Sequence, residues 1–315
     1  MISFTRYAWA VLGYNVLVVA WGAVVRATGS GAGCGKHWPR CNGEVVPRSP
    51  ELATIIEFVH RATSGVALLL VVVLVVWAFR AFPRGHAARK ASVAAIAFMI
   101  SEALVGAGLV LFGWVAKDTS AARGWVMAIH LANTFLLLAC LALAADWGRH
   151  AGGLSLRGRG AAGWLLAAAF AAVLVTGVTG AVSALGDTLF PAASFAEGLR
   201  QELSTQAGVL LRIRLLHPFA AVATGVLLLA AARAALRARP EERVRRAAVA
   251  VAGLVAVEIA VGAANVLLLA PVPLQIVHLV LADLAWLALV LLASASLAPG
   301  GAPAVAPARA AAGTA

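Results

Sequence analysis

Eight apolar runs, each long enough to cross a bilayer as a helix of roughly 20 residues, govern what this chain can fold into. They lie near 8–26, 54–79, 91–112, 123–146, 161–184, 208–233, 245–269 and 274–298. Of the 315 residues, 62% are hydrophobic and 12% charged, against about 45–50% and about 25% in a soluble domain. The expected fold class is an all-α integral membrane protein with eight transmembrane helices. Only Arg6 precedes the first run as a charge, and no small-residue cleavage site follows a short core, so it reads as a retained helix. The segment 299–315 is rich in Ala, Pro and Gly and is expected to be disordered.

The net charge of +12 does not point to nucleic acid, because the basic residues sit in short loops between apolar runs. Loop 80–90 carries Arg80, Arg84, Arg89 and Lys90. Loop 146–160 carries Arg149, Arg157 and Arg159, and loop 233–246 carries six arginines. These alternate loops are expected to be cytoplasmic, which makes both termini cytoplasmic. Loops 27–52, 113–123, 185–207 and 270–273 then face outward. Loop 27–52 departs from the charge pattern, since it holds Lys36, Arg40 and Arg48.

The chain also resembles itself at an offset of about 150 residues. "EFVHRATSG" pairs with "RLLHPFAAVATG", "SEALVGAGLVL" with "AVEIAVGAANVLL", and "MAIHLANTF" with "QIVHLVLAD". Two repeated four-helix bundles are expected, 1–150 and 151–298, in parallel orientation because an even number of crossings separates equivalent helices.

His60, His130, His217 and His278 fall inside apolar runs, at matched positions in the two halves. Polar groups inside a bilayer are costly and usually functional. All four are expected in the outward half of the membrane, one pair per bundle. Paired imidazoles on facing helices suit the axial positions of a haem iron. Gly65, Gly106, Gly108, Gly225 and Gly262 would give a macrocycle room, or serve close helix packing. Zinc is the competing metal, but it needs three or four protein ligands.

Glu57 stands three residues before His60, on the same helical face, whereas Arg214 holds that place before His217. An arginine suits a haem propionate. A carboxylate suits proton transfer or stabilisation of a developing cation, or simply the helix dipole. The first half is therefore expected to do chemistry and the second to hold a permanent cofactor. Arg61 and Arg212 lie near the outward boundary, as propionate partners or snorkelling cations. Glu102 and Glu258 occupy matched mid-helix positions and are expected to hydrogen-bond between the halves. Cys34 and Cys41 flank "GKHWPR" in the outward loop, where three arrangements are open. They are a disulfide, a metal site with His37, and a redox-cycling dithiol.

Together, the two halves, the four histidines, "EFVHR" and "TGSGAGCGKHWPRC" resemble the haem A synthase family of cytochrome oxidase biogenesis, over about residues 8–298. The resemblance implies oxidation of the C8 methyl of haem O to a formyl group, giving haem A, by successive hydroxylations and loss of water. It implies that His60 and His130 hold haem O and that His217 and His278 hold a haem b cofactor. Glu57 matches the family's carboxylate beside the first ligand, and Cys34 and Cys41 match its outer cysteine pair. Loop 185–207 lacks the second cysteine pair of some bacterial members, and a short amphipathic segment covering the second haem is expected there instead. The implied setting is a bacterial cytoplasmic membrane. The implied partners are the lipid bilayer, haem O synthase, an electron-transfer partner and oxidase assembly factors. A di-haem b electron-transfer cytochrome is the alternative, and a transporter, also rich in repeats, is the third.

Overall fold

A computed structural model describes residues 3–48, 50–150, 152–155 and 160–299. The expected disorder of the tail beyond Pro299, and Arg157 and Arg159 of the second basic loop, lie outside the described residues. Among the described residues nine α-helices follow in order: α1 Phe4–Ala27, α2 Leu52–Ala81, α3 Ala87–Leu111, α4 Ala121–Trp147, α5 Gly160–Leu189, α6 Phe195–Leu203, α7 Val209–Ala238, α8 Glu242–Leu267 and α9 Val272–Ser296. All but α6 are long and apolar enough to cross a membrane. The eight expected runs therefore reappear as eight helices, with ends shifted by a few residues.

Local signals set several of the ends. Ser3, Ser120 and Ser194 accept from the backbone N–H three residues on, at the starts of α1, α4 and α6. At the end of α9 the carbonyls of Ala295, Ser296 and Ala298 accept from Arg239 Nη1. A cation there also complements the negative end of the helix. The helix α7 runs through Pro218, whose missing N–H leaves the carbonyl of Arg214 without its helical donor.

Helices α1, α2, α3 and α4 pack in a ring, each on the next and α4 back on α1. Helices α5, α7, α8 and α9 form a second ring, and the two meet along α1 and α4 against α5 and α9. Lipid tails are as apolar as leucine, so burial from water does not drive helices together inside a bilayer; close packing does. The contact positions are accordingly small: Ala8, Ala78, Ala88, Ala95, Ala142, Ala144, Ala145, Ala169, Ala231 and Ala235 have no exposed surface. Large apolar side chains such as Leu17, Trp164 and Phe219 point away from the protein, as lipid-facing residues do.

Polar and aromatic contacts close the seam between the rings at three levels. At the end that carries the cysteine loop, Arg26 of α1 donates to Ala184 O (2.6 Å), Thr188 Oγ1 (2.8 Å) and Gln275 Oε1 (2.9 Å), reaching α5 and α9. In the middle, Trp286 of α9 stacks on Phe135 of α4 with ring centroids 5.1 Å apart, meets Phe170 of α5 edge-on, and donates Nε1–H to Phe135 O at 2.7 Å. At the opposite end Asp146 of α4 accepts from Arg243 and from Ser294 Oγ, the latter at 2.6 Å. Trp286 is 2% exposed and Trp164 is 81% exposed. Trp286→Ala is therefore expected to lower stability by about 3 kcal/mol, at the lower end of the range for large-to-small core changes, and Trp164→Ala to leave it unchanged. Thermal unfolding of the detergent-solubilised protein measures both.

Candidate functional site

His60, His130, His217 and His278 lie in the second or third turn of α2, α4, α7 and α9. Each of these helices starts at the cysteine-loop end. In the first ring α2 and α4 occupy opposite corners, as do α7 and α9 in the second. His60 and His130 lie within electrostatic range of one another, and so do His217 and His278. The His130 and His278 side chains keep 23% and 27% of their surface, so protein atoms do not enclose either ring.

Glycines on neighbouring helices fix where three of the rings sit. A Cβ on Gly22 of α1 would stand 3.1 Å from Cε1 of His60. Gly180 of α5 bears the same relation to His217 at 3.0 Å, and Gly262 of α8 to His278 at 3.1 Å. Of the five glycines singled out in the sequence, Gly262 makes this contact and Gly225 packs on Val255 and Ile259. Gly65 and Gly106 face open space, and Gly108 touches only Phe112 at 4.0 Å. Gly22 and Gly180 were missed, although "WGAVV" and "TGAVS" in the first and fifth runs were a readable pair.

The four Nδ1 atoms have different surroundings. That of His60 is buried without a partner. That of His217 lies 3.1 Å from Thr179 Oγ1, whose hydroxyl also donates to Thr176 O at 2.9 Å. Those of His130 and His278 each stand 3.1 Å from a carboxylate oxygen, of Glu102 and Glu258 respectively. Both approaches are electrostatic contacts not aligned as hydrogen bonds. Glu102 and Glu258 thus face within their own rings, and the expectation that they link the halves is corrected. They face α4 and α9, the next helix of each ring, and the seam lies elsewhere.

The cysteine loop is fastened to the start of α2, directly above His60. Cys34 and Cys41 form a disulfide, which removes the alternative of a metal site with His37. Glu57 is buried; its Oε2 accepts from Cys34 N at 2.7 Å and its Oε1 from Arg61 Nε at 3.1 Å and from Nη2. Arg61 Nη1 also donates to the carbonyls of His37 (2.5 Å) and Arg40 (2.8 Å). Thr54 Oγ1 donates to Gly33 O at 2.8 Å. Here the loop backbone lies on the helix: a Cβ on Gly33 would stand 2.5 Å from Ala53 O.

Around the second histidine pair the wiring differs. Arg214 donates to Glu202 at 2.6 Å, to Asp187 at 3.3 Å, to Gln201 and to the carbonyl of Phe190. Glu202 and Gln201 belong to α6, so the expected amphipathic segment exists and Arg214 ties it to α7. Arg212, one of the expected propionate partners, donates to Ala207 O.

These donors fit an iron porphyrin, which asks the protein for only two axial ligands. The first ring offers two imidazoles from opposite corners, His60 and His130, neither fully buried, with a buried unpartnered nitrogen at His60. Among the described residues no group of three or more His, Cys, Asp or Glu is placed to hold a metal ion, so a zinc site built from protein ligands alone is not formed. The family described as Cytochrome oxidase assembly protein, COX15-CtaA, matches residues 5–290 of the chain.

The chain belongs to the COX15-CtaA family.

It is 51% identical over 294 residues to a Thermus thermophilus protein named protoheme IX farnesyltransferase, covering 93% of this chain and 48% of that protein. It is 40% identical over 122 residues to heme A synthase of Alkalihalophilus pseudofirmus, covering 39% of this chain and 41% of that one. With heme A synthase of Bacillus mycoides the identity is 35% over 153 residues, covering 46% and 47%. The chain spans about half the length of the relatives it matches. It is a multi-pass membrane member of this family.

The seating of the loop is open to test. Gly33→Ala is expected to lift it from α2, so that the two cysteines are reduced and alkylated faster under mild reductant than in the parent protein. Gly13→Ala, where nothing lies within 4 Å, is expected to leave the rate unchanged. Mass spectrometry of the alkylated chain reads both rates.

Proposed function

We propose that this chain acts as a haem A synthase, oxidising the C8 methyl of haem O to a formyl group. One observation carries the reading: both rings present a histidine pair, but only the first lies beneath a disulfide loop anchored on a buried carboxylate, Glu57. An electron carrier needs the imidazoles alone. His60 and His130 are read as holding the substrate, and His217 and His278 as holding haem b, which supplies a redox-active iron when bound. The heme A synthase relatives support this. The farnesyltransferase name of the longer relative supports haem O synthase, which makes the substrate, as a partner. An electron-transfer partner and oxidase assembly factors complete the proposed set, and the lipid bilayer holds the protein. The two rings and their matched histidine contacts support the repeat. The basic loops support a cytoplasmic-membrane orientation with both termini inside and the cysteine loop outside.

The conversion of methyl to formyl removes four electrons and replaces two C–H bonds by one C=O, through two hydroxylations and one loss of water. The carboxylate of Glu57 is assigned the charge developing at the methyl carbon, or its proton. Its oxygens already accept from Cys34 N–H and Arg61, so either role is coupled to the position of the loop. Arg214 is assigned a propionate of haem b. Two protein carboxylates already surround it, so that contact shares the guanidinium with Asp187 and Glu202.

Pigment extracted from the purified protein is expected to contain haem b together with haem O or haem A by chromatography. Haem b alone, unchanged when a haem O source is co-expressed, would replace this reading by a di-haem cytochrome. Glu57→Ala is expected to lower haem A formation by roughly 10²- to 10⁴-fold, the span of a general acid–base group, while haem b is retained. Haem A yield at the parent level would remove Glu57 from the reaction.

A further inference from the structure

The two carboxylates beside the histidines occupy matched places but not matched surroundings. Glu102 has a donor at each oxygen: Thr134 Oγ1 donates to Oε1 at 2.5 Å and Asn133 Nδ2 to Oε2 at 2.5 Å. Asn133 is held in turn, with its Nδ2 also donating to Phe98 O at 2.9 Å and its Oδ1 accepting from Ser101 Oγ at 2.5 Å. The chain Ser101–Asn133–Glu102, with Thr134 alongside, locks α3 to α4 around the His130 ring.

Glu258 has none of this. Its Oε1 stands 3.1 Å from His278 Nδ1, and its Oε2 is buried with no partner. Where α4 offers Asn133 and Thr134, α9 offers Leu281 and Ala282 at the matching places. One residue further on, Phe135 is matched by Asp283, a fully buried carboxylate neither of whose oxygens has a partner.

We propose that Glu102 is a positioning residue for His130, held in place by Ser101, Asn133 and Thr134, and that this network makes His130 the more firmly oriented histidine of the pair His130 and His278. The inference rests on the reading of His130 as an iron ligand. Its physical basis is general: a ligating imidazole commonly gives its other N–H to a carboxylate, which fixes the ring and raises its basicity. That carboxylate orients a ring well only if it is itself fixed. Glu102 is fixed at both oxygens, and Glu258 is not. The site read as holding substrate thus has a locked ligand on α4, while the matching histidine on α9 leans on Gly262 and on a carboxylate with a free oxygen.

Three variants of the full chain test this, purified with their haem and examined by optical and electron paramagnetic resonance spectra, and by retained haem after dialysis. His130→Ala is the reference and is expected to abolish the bis-imidazole signal of the first site. Glu102→Gln keeps the shape of the side chain. It is expected to shift that signal and to weaken haem retention there by roughly 10- to 100-fold, as loss of an orienting partner does. Asn133→Leu with Thr134→Ala copies the α9 residues, leaves Glu102 in place, and is expected to move both readouts in the same direction by less. The signal of the second site, unchanged in every variant, establishes that the fold is intact. Parent-like spectra and retention in Glu102→Gln, with the signal lost in His130→Ala, would overturn the positioning role alone. A retained signal in His130→Ala would overturn the ligand reading and this inference with it.

Discussion

No water enters the core of a bilayer to satisfy a polar side chain, so a polar group left without a protein partner on a spanning helix is costly. That constraint organises this protein. Arg26 bridges three helices through neutral acceptors, Asp146 gathers Arg243 and Ser294 at the far end, and Glu102 takes donors from α4. Between these points the helices are lined with alanine and glycine, which lets backbones approach until dispersion holds them. Other large apolar residues, such as Leu17, Trp164 and Phe219, face the lipid side.

The same constraint leaves the two rings with unequal polar surroundings. Both place paired imidazoles near the end that carries the cysteine loop, with the helices read as related by repetition. The first ring surrounds its pair with a carboxylate, an arginine, a disulfide loop and a hydrogen-bonded network. The second surrounds its pair with Thr179, glycines and a short amphipathic helix tied down by Arg214. Equal frames with unequal polar decoration are what a division between a reacting site and a permanent cofactor site requires. Three of the four rings also rest on glycine, and a methyl group there would come within about 3.1 Å of Cε1.

Much of this was legible before any coordinates. The eight spans follow from hydropathy, the histidines from their recurrence, and α6 from a polar stretch between two apolar ones. What stayed hidden depends on which way a helix faces. Glu102 and Glu258 were visible as a matched pair, but the sequence does not say whether a mid-helix carboxylate points along its own ring or across the seam. Gly22 and Gly180 looked like ordinary small residues, because their significance lies on another helix. The role of Arg26 was invisible for the same reason: its partners are 158 or more residues away.

Glu57 shows why the cysteine loop and the histidine beneath it should be considered together. One turn of α2 carries Glu57, His60 and Arg61. Two of these three bind the loop, through Cys34 N–H and through the carbonyls of His37 and Arg40. The third faces the bundle interior against Gly22. A carboxylate bonded to the backbone of a disulfide-linked cysteine cannot change its charge or its hydrogen bonds without changing the loop's anchorage. Conversely, a loop released from Ala53 and Thr54 would withdraw a donor from Glu57 and leave Arg61 as its partner. The disulfide therefore acts on the site through the position it gives to the N–H of Cys34. The sulfurs need no contact of their own with Glu57 for the crosslink to matter to its surroundings.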